Sequence, residues 1–200
     1  MRGRLLSVIV AGFLIGAIAG ACVLALTGSG SAPTVVTSGK ALIGGPFTLI
    51  DQNGKTVTDS DFRGRFMLVF FGFTHCPDIC PAELQVMSAS LDALGPKAAE
   101  VVPIFITLDP ERDTAAVMAA YVKNFGARFV GLTGSPEAIA TAAKAYRVAY
   151  AKFQEDPASS DYSVDHSALV YLMGKDGEYV THFPYGTPAG KMTEELNRYL

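Results

Sequence analysis

The sequence predicts an α/β domain, because two continuous apolar runs, residues 66–73 and 101–107, flank a segment with helical character. Runs rich in Phe, Val and Ile without polar alternation are typical of strands buried on both faces of a sheet. The segment between them, residues 76–94, predicts a helix that ends near Gly95 and Pro96. Further along, the pattern predicts a second helix, a β-hairpin and a final helix. This order of elements is that of a thioredoxin-like fold.

The remaining elements follow from turn residues and periodicity. Short apolar runs at 47–50 and 56–57 flank Asn53 and Gly54, so a β-hairpin is expected to extend the domain at its N-terminal edge. Residues 114–125 and 136–146 predict helices, with a short strand at 129–132 between them. Residues 167–173 and 178–183 predict a second hairpin, and residues 188–200 predict the closing helix.

A different kind of segment precedes this domain. Residues 5–26 carry no charge and follow Arg2 and Arg4. The run is long enough to span a bilayer of about 30 Å, and the positive charges predict a cytoplasmic N-terminus. We therefore expect a transmembrane anchor at 1–26, a flexible linker at 27–40 and the thioredoxin-like domain at 41–200. A cleaved signal peptide and lipidation at Cys22 are the alternative interpretations of the first segment.

The 200-residue chain has a net charge of −3 and no run of basic residues. This composition gives no support for nucleic-acid binding. The absence of an Arg- and Ser-rich transit peptide favours a bacterial inner membrane, with the domain in the periplasm.

Cys76 and Cys80 are the only cysteines outside the N-terminal apolar segment, and they lie where the first buried strand gives way to the helix. If the helix begins near Cys76, the i, i+4 spacing places both sulfurs on one face. Pro77 suits a first helical turn, whose free N–H groups favour a thiolate, so Cys76 is expected to ionise readily. A structural disulfide, a redox dithiol and a metal site all remain open from this spacing alone.

A third metal ligand is expected at His166, which follows a polar loop, residues 154–164, and precedes a predicted buried strand. In a thioredoxin-like fold that loop packs against the dithiol, and Asp165 is a candidate either to orient the imidazole or to make the rim of the site polar. His75 and His182 are expected at the surface. Two thiolates and one imidazole suit Cu(I), and an added oxygen ligand would suit Cu(II). Structural zinc normally has four protein ligands and is the weaker candidate.

Three motifs in this order resemble the Sco (SenC) family of membrane-anchored copper chaperones. They are Gly72-Phe-Thr-His-Cys76-Pro-Asp-Ile-Cys80-Pro, Thr107-Leu-Asp-Pro-Glu-Arg-Asp113-Thr and Tyr162-Ser-Val-Asp165-His166-Ser. The resemblance implies that Cys76, Cys80 and His166 bind copper. It also implies delivery to the CuA site of cytochrome c oxidase subunit II during assembly. The alternative is a thiol-disulfide oxidoreductase in which Cys76 and Cys80 reduce the cysteines of that site.

Asp109 and Asp113 have two possible roles at this stage. Asp109, Pro110 and the acidic residues after them fit the start of a helix, where carboxylates cap free N–H groups. The other possibility is that this acidic pair docks the partner near the copper site.

Overall fold

A computed structural model describes residues 42–154 and 162–200. At its centre are two parallel strands, β3 (Phe66–Gly72) and β4 (Val101–Thr107), in which every residue is buried. Both runs lack polar alternation, because helices or loops cover both faces of the sheet here. The predicted central strands are confirmed, and β3 ends one residue earlier than expected.

Five further strands complete the main sheet. They are β1 (Thr48–Asp51), β2 (Thr56–Thr58), β5 (Val130–Thr133), β8 (Leu169–Met173) and β9 (Tyr179–Pro184). Their order across the sheet is β2-β1-β5-β4-β3-β8-β9, with β3, β4 and β5 parallel and the others antiparallel to their neighbours. This is the predicted thioredoxin-like arrangement, with the β1–β2 hairpin added at one edge.

The helices are α1 (Ile79–Leu94), α2 (Ala115–Val122), α3 (Pro136–Ala145) and α4 (Ala189–Asn197). Short 3₁₀ turns occupy Asp59–Phe62, Gly95–Glu100 and Lys123–Phe125. Helix α1 packs against α4, where the Ser90 hydroxyl donates to the Ala189 carbonyl at 3.1 Å. The four predicted helices are confirmed, but α1 begins at Ile79, three residues later than expected.

Two strands were absent from the prediction. Strands β6 (Tyr150–Phe153) and β7 (Ser163–His166) pair as an antiparallel hairpin outside the main sheet. The expected polar loop at 154–164 therefore ends in a strand, and β8 begins at Leu169 rather than at residue 167. This correction places His166 at the end of a hairpin, opposite Tyr150.

The N-terminal prediction falls outside the described residues. Within residues 42–154 and 162–200, no helix has the length and apolar character needed to cross a membrane. The predicted anchor and linker, residues 1–40, and Cys22 lie outside this range.

Gly72 ends β3 at a point of very close packing. A Cβ at this position would lie 2.6 Å from Cys80 Sγ and 2.9 Å from the Phe105 ring. Atoms of these types do not approach so closely without displacement. The glycine therefore lets the first turn of α1 lie directly against the end of the strand.

We expect Gly72→Ala to lower the free energy of unfolding by about 1–3 kcal/mol, because the added methyl group overpacks this contact. Chemical denaturation of the wild type and the variant measures the change. Gly190→Ala is the matched control, since a Cβ at Gly190 in α4 meets nothing within 4 Å. Equal effects of the two substitutions would contradict the packing argument.

Candidate metal centre

Cys80 lies in the first turn of α1 and is fully buried. The chain leaves β3 at Gly72, crosses the sheet edge through residues 73–78 and enters the helix at Ile79. The pKa of the Cys80 thiol is raised, because it donates a hydrogen bond to Cys76, is removed from water and lies near the charges of Cys76 and Asp113. Cys80 is thus a protonated thiol at neutral pH.

Cys76 precedes the helix and is half-buried. Its Sγ accepts the backbone N–H of Cys80 at 3.4 Å, one of the first-turn N–H groups that have no partner within the helix. The Cys80 thiol is the main cause that lowers the pKa of Cys76 to about 5. Burial opposes this shift, and the N–H groups of Cys80 and Asp78 and the charge of His166 add to it. Easy ionisation of Cys76 was predicted, although the cause is hydrogen bonding rather than a place inside the helix.

His166 is brought to the dithiol by the β6–β7 hairpin. Its Nε2 lies 3.5 Å from Cys80 Sγ, across 86 residues of sequence. Its Nδ1 lies 3.1 Å from the carbonyl oxygen of Ser167, which can only accept a hydrogen bond. Nδ1 therefore carries the proton in the neutral ring, and the lone pair of Nε2 points at the sulfur.

The structure assigns the orientation of His166 to Ser167 rather than to Asp165. Asp165 is exposed on the outward side of β7. The rings of Phe70 and Phe73 lie about the imidazole, with centroid separations of 6.0 and 6.1 Å. Of the two roles expected of Asp165, the structure does not show the orienting one, and its exposed carboxylate agrees with the role at the rim.

The distances between the three predicted ligands show how nearly they form a metal site. Within the described part of the chain, no three His, Cys, Asp or Glu side chains already stand at metal-binding spacing. The 3.5 Å separation of Cys80 and His166 is a hydrogen-bond distance. This separation also suits two donors of one ion, because metal–sulfur and metal–nitrogen bonds of about 2.0–2.3 Å place the two donor atoms roughly 3.5 Å apart at a tetrahedral angle. The donor types, two sulfurs and one imidazole nitrogen, suit Cu(I).

Asp113 is fully buried behind the loop that carries Cys76. Its carboxylate accepts the backbone N–H of Thr74 at 3.0 Å and the hydroxyl groups of Thr74 and Thr107. It therefore fastens the cysteine loop to the end of β4. A buried carboxylate cannot dock a partner protein, and the cap of α2 is the Thr114 side chain rather than an aspartate.

Asp109 is also fully buried and anchors the approach to β7. It pairs with Arg112 and accepts the Tyr162 hydroxyl at 2.8 Å. The Arg112 guanidinium lies 3.8 Å from the centre of the Tyr162 ring and donates to the Tyr162 carbonyl. This cluster ties the hairpin that carries His166 to the loop after β4. Asp109 and Asp113 therefore neither cap α2 nor face a partner protein. They position the segments that carry His166 and Cys76.

Sequence reasoning missed Glu83, which is buried in α1. Its carboxylate accepts the backbone N–H of Gly186, and its Oε1 has no hydrogen-bond partner among the described residues. Burial raises the pKa of this carboxyl group. A single glutamate on a helix gives no signal in the sequence that would have distinguished it from a surface residue.

The other two histidines lie at the surface, as predicted. His75 is exposed, and its Nδ1 lies 3.9 Å from Asp113 Oδ1. His182 is exposed on β9, where its Nδ1 contacts the Tyr179 hydroxyl at 2.5 Å.

A family model described as SCO1/SenC matches residues 35–200. The chain belongs to the SCO1/SenC family. A curated SCO1/SenC relative, the mitochondrial protein SCO1 homolog 1 of Arabidopsis thaliana, is 45% identical over 168 residues, which cover 82% of this chain and 50% of the relative. The chain spans about half to two thirds of the length of the first curated relatives that it matches.

Solved SCO1/SenC structures share the fold. Bradyrhizobium japonicum ScoI with copper bound is 46% identical, with a TM-score of 0.73, and the match covers 79% of this chain and 99% of that one. BsSco is described as having a disulfide switch and as a member of the Sco family of cytochrome c oxidase assembly proteins. It is 25% identical, with a TM-score of 0.61 and coverage of 79% and 93%.

We expect Cys76 of this SCO1/SenC chain to be alkylated by iodoacetamide even at low pH. In the reduced chain, the rate at Cys76 should rise with pH through a midpoint of about 5, because the thiolate is the nucleophile. Cys80 should stay slow, since it is buried and protonated. Peptide mass analysis after timed iodoacetamide treatment measures each cysteine separately.

Cys80→Ala should move the midpoint of Cys76 upward, because it removes the thiol that donates to Cys76. His182→Ala is the control and should leave the midpoint unchanged. A midpoint near 8.5 in the wild type, the ordinary value for a cysteine, would refute the described hydrogen bond.

We expect Glu83→Gln to gain stability relative to the wild type as the pH rises. A carboxyl group with a raised pKa binds a proton more tightly in the folded state, so folding stability falls once the pH exceeds the unfolded value of about 4.3. Glutamine does not titrate and can still accept the Gly186 N–H. Unfolding free energies at pH 4 and pH 7 measure the difference, and Glu137→Gln, at an exposed helix start, serves as control. A wild-type advantage that grows with pH would contradict the burial argument.

Proposed function

We propose that this chain is a copper chaperone that binds copper through Cys76, Cys80 and His166 and delivers it to a cytochrome c oxidase during assembly. The observation that carries the proposal is the 3.5 Å approach of Cys80 Sγ to His166 Nε2 across 86 residues. A structural disulfide would need no histidine there. Copper in the structure of a ScoI that is 46% identical supports copper as the metal.

The acceptor that we propose is the CuA site on subunit II of the oxidase, and residues 1–26 anchor the chain to a bacterial inner membrane with residues 41–200 in the periplasm. The oxidase partner is supported by the family description of BsSco. Curated relatives from Rickettsia prowazekii and Rickettsia felis support a bacterial setting. Delivery proceeds by ligand exchange, in which acceptor groups replace His166 and then the thiolates one at a time.

One specific observation favours a second function, thiol-disulfide exchange. The half-exposed Cys76 has a pKa of about 5 and stands beside a second thiol. Its thiolate would attack a partner disulfide and form a mixed disulfide. Cys80 would then lose its proton and attack Cys76 Sγ, so that the partner leaves as a dithiol and this chain is oxidised by two electrons. That function needs no copper and no His166.

We expect the reduced full chain in detergent to bind one equivalent of Cu(I) in an anaerobic competition titration against a Cu(I) chelator. His166→Ala should weaken the affinity by at least about tenfold, because it removes one of three donors. The Cys76→Ser and Cys80→Ser double variant should abolish tight binding, since the soft thiolates hold the ion.

His182→Ala is the matched control, because it removes an exposed histidine away from the dithiol. Copper affinity indifferent to His166→Ala, together with copper-free reduction of a disulfide substrate, would reject the chaperone function and favour the oxidoreductase.

A further inference from the structure

Three exposed apolar side chains adjoin the predicted ligands. Ile79 directly precedes Cys80 in the first turn of α1. Tyr150 is the cross-strand partner of His166 in the β6–β7 hairpin. Tyr185 donates its backbone N–H at 3.1 Å to Ala168, two residues after His166. They belong to a set of seven exposed large apolar residues in the described part of the chain: Leu42, Ile50, Ile79, Tyr150, Phe153, Tyr185 and Tyr199.

The segment that carries Tyr185 is held against α1. Glu83 accepts the backbone N–H of Gly186, and Glu83 lies one helical turn after Ile79 on the same face of α1. The positive φ of 80° at Gly186 forms the turn that makes this contact possible. Ile79 and Tyr185 therefore lie on two elements that the Glu83–Gly186 contact brings together, Ile79 one turn before Glu83 and Tyr185 directly before Gly186.

Uncompensated negative charge accompanies these apolar side chains. Asp78, next to Ile79, and Asp165, next to His166, are exposed, and neither forms an ion pair within residues 42–154 and 162–200. The nearby Lys152 is already paired with Glu111 at 2.6 Å. The rim of the site is thus apolar and acidic, which attracts a basic surface from a distance.

We propose that Asp78, Ile79, Tyr150 and Tyr185 form a docking surface, the transfer face, for a protein that accepts the metal. This inference rests on the proposed function. The acceptor that fits is a folded protein whose own metal ligands lie within an apolar patch, with a lysine or arginine placed to meet Asp78. The electrostatic part of this fit is expected to act on the rate of encounter.

Ligand exchange requires this proximity. An incoming thiolate or imidazole has to reach within about 2.3 Å of an ion held by Cys76 and His166. One donor bond forms as the bond to His166 Nε2 breaks, and the ion keeps its oxidation state, so no reductant takes part. A small chelator can reach the ion without contacting the surrounding surface, whereas a protein acceptor has to contact the side chains around the ion. The transfer face therefore affects delivery to proteins and not to small molecules.

The test compares transfer rates from the copper-loaded full chain in detergent. One acceptor is the reduced, copper-free soluble domain of an oxidase subunit II, and the other is a small Cu(I) chelator. The Ile79→Ser and Tyr185→Ser double variant should slow transfer to the protein by about tenfold, because contacts at the centre of an interface dominate binding. Its copper affinity and its transfer to the chelator should match the wild type.

The matched control is the Ile50→Ser and Tyr199→Ser double variant. Ile50 has the same 38% exposure as Ile79, and Tyr199 is 41% exposed against 48% for Tyr185. This control should transfer at the wild-type rate. Asp78→Asn should slow transfer to the protein at low salt and make its rate less dependent on ionic strength.

Each result has a separate meaning. Unchanged transfer to the protein by the Ile79/Tyr185 variant, with normal copper affinity, overturns the transfer face and leaves the chaperone function standing. Loss of copper affinity in that variant also overturns it, because these residues would then support the metal site itself. A wild-type chain that binds no copper overturns both the proposed function and the transfer face.

Discussion

The close contact between Gly72 and Cys80 is the constraint on which the rest of the centre depends. Since no side chain separates the end of β3 from the first turn of α1, Cys80 is buried against the sheet. There it reaches an imidazole that comes from a different part of the chain. The same strand end accepts the backbone N–H of Leu108 at 2.7 Å, so β3 and β4 are joined right up to the site. The sheet thereby sets the position of one proposed ligand, Cys80.

The other two proposed ligands, Cys76 and His166, are held by buried carboxylates rather than by the sheet. Asp113 fastens the loop of Cys76 through Thr74, and Asp109 fastens the approach to His166 through Arg112 and Tyr162. Both aspartates come from the single loop that follows β4. A buried carboxylate is stable only where several donors satisfy it, as they do here. One loop therefore positions both Cys76 and His166, two proposed ligands that are 90 residues apart in the sequence.

The sequence predicted the elements whose signals are strong and local. Only one kind of element fits the apolar runs of β3 and β4, and only a hairpin fits the Asn53-Gly54 turn. The structure contains all three elements. Strand β6 was missed because all four of its residues are exposed, so it shows no alternation of apolar and polar residues. The predicted start of α1 was too early because Pro77 suits a first helical turn. In the structure Cys76 lies before the helix, and its Sγ accepts the backbone N–H of Cys80 in the first turn.

The candidate site was predictable in its residue types and not in its supporting contacts. The two cysteines and the histidine stand out in the sequence by residue type and spacing. That Ser167, and not Asp165, receives the Nδ1 proton depends on a local backbone direction that no residue type specifies. The burial of Glu83 depends on a loop 103 positions away, at Gly186. Such contacts arise only once distant segments have packed.

The unequal protonation of the two cysteines determines how the net charge of the centre changes when a metal ion binds. At neutral pH Cys76 is a thiolate and Cys80 keeps its proton, so the dithiol carries a charge of about −1. When a monovalent ion such as Cu(I) binds both sulfurs, Cys80 releases one proton and the total remains −1. The exchange of H⁺ for Cu⁺ leaves the nearby Asp113 facing the same net charge as before. Binding of a divalent ion would instead change that charge by one unit. Because Cys80 starts with a proton to release, the net charge of the centre stays constant when a monovalent ion binds, but not when a divalent ion binds.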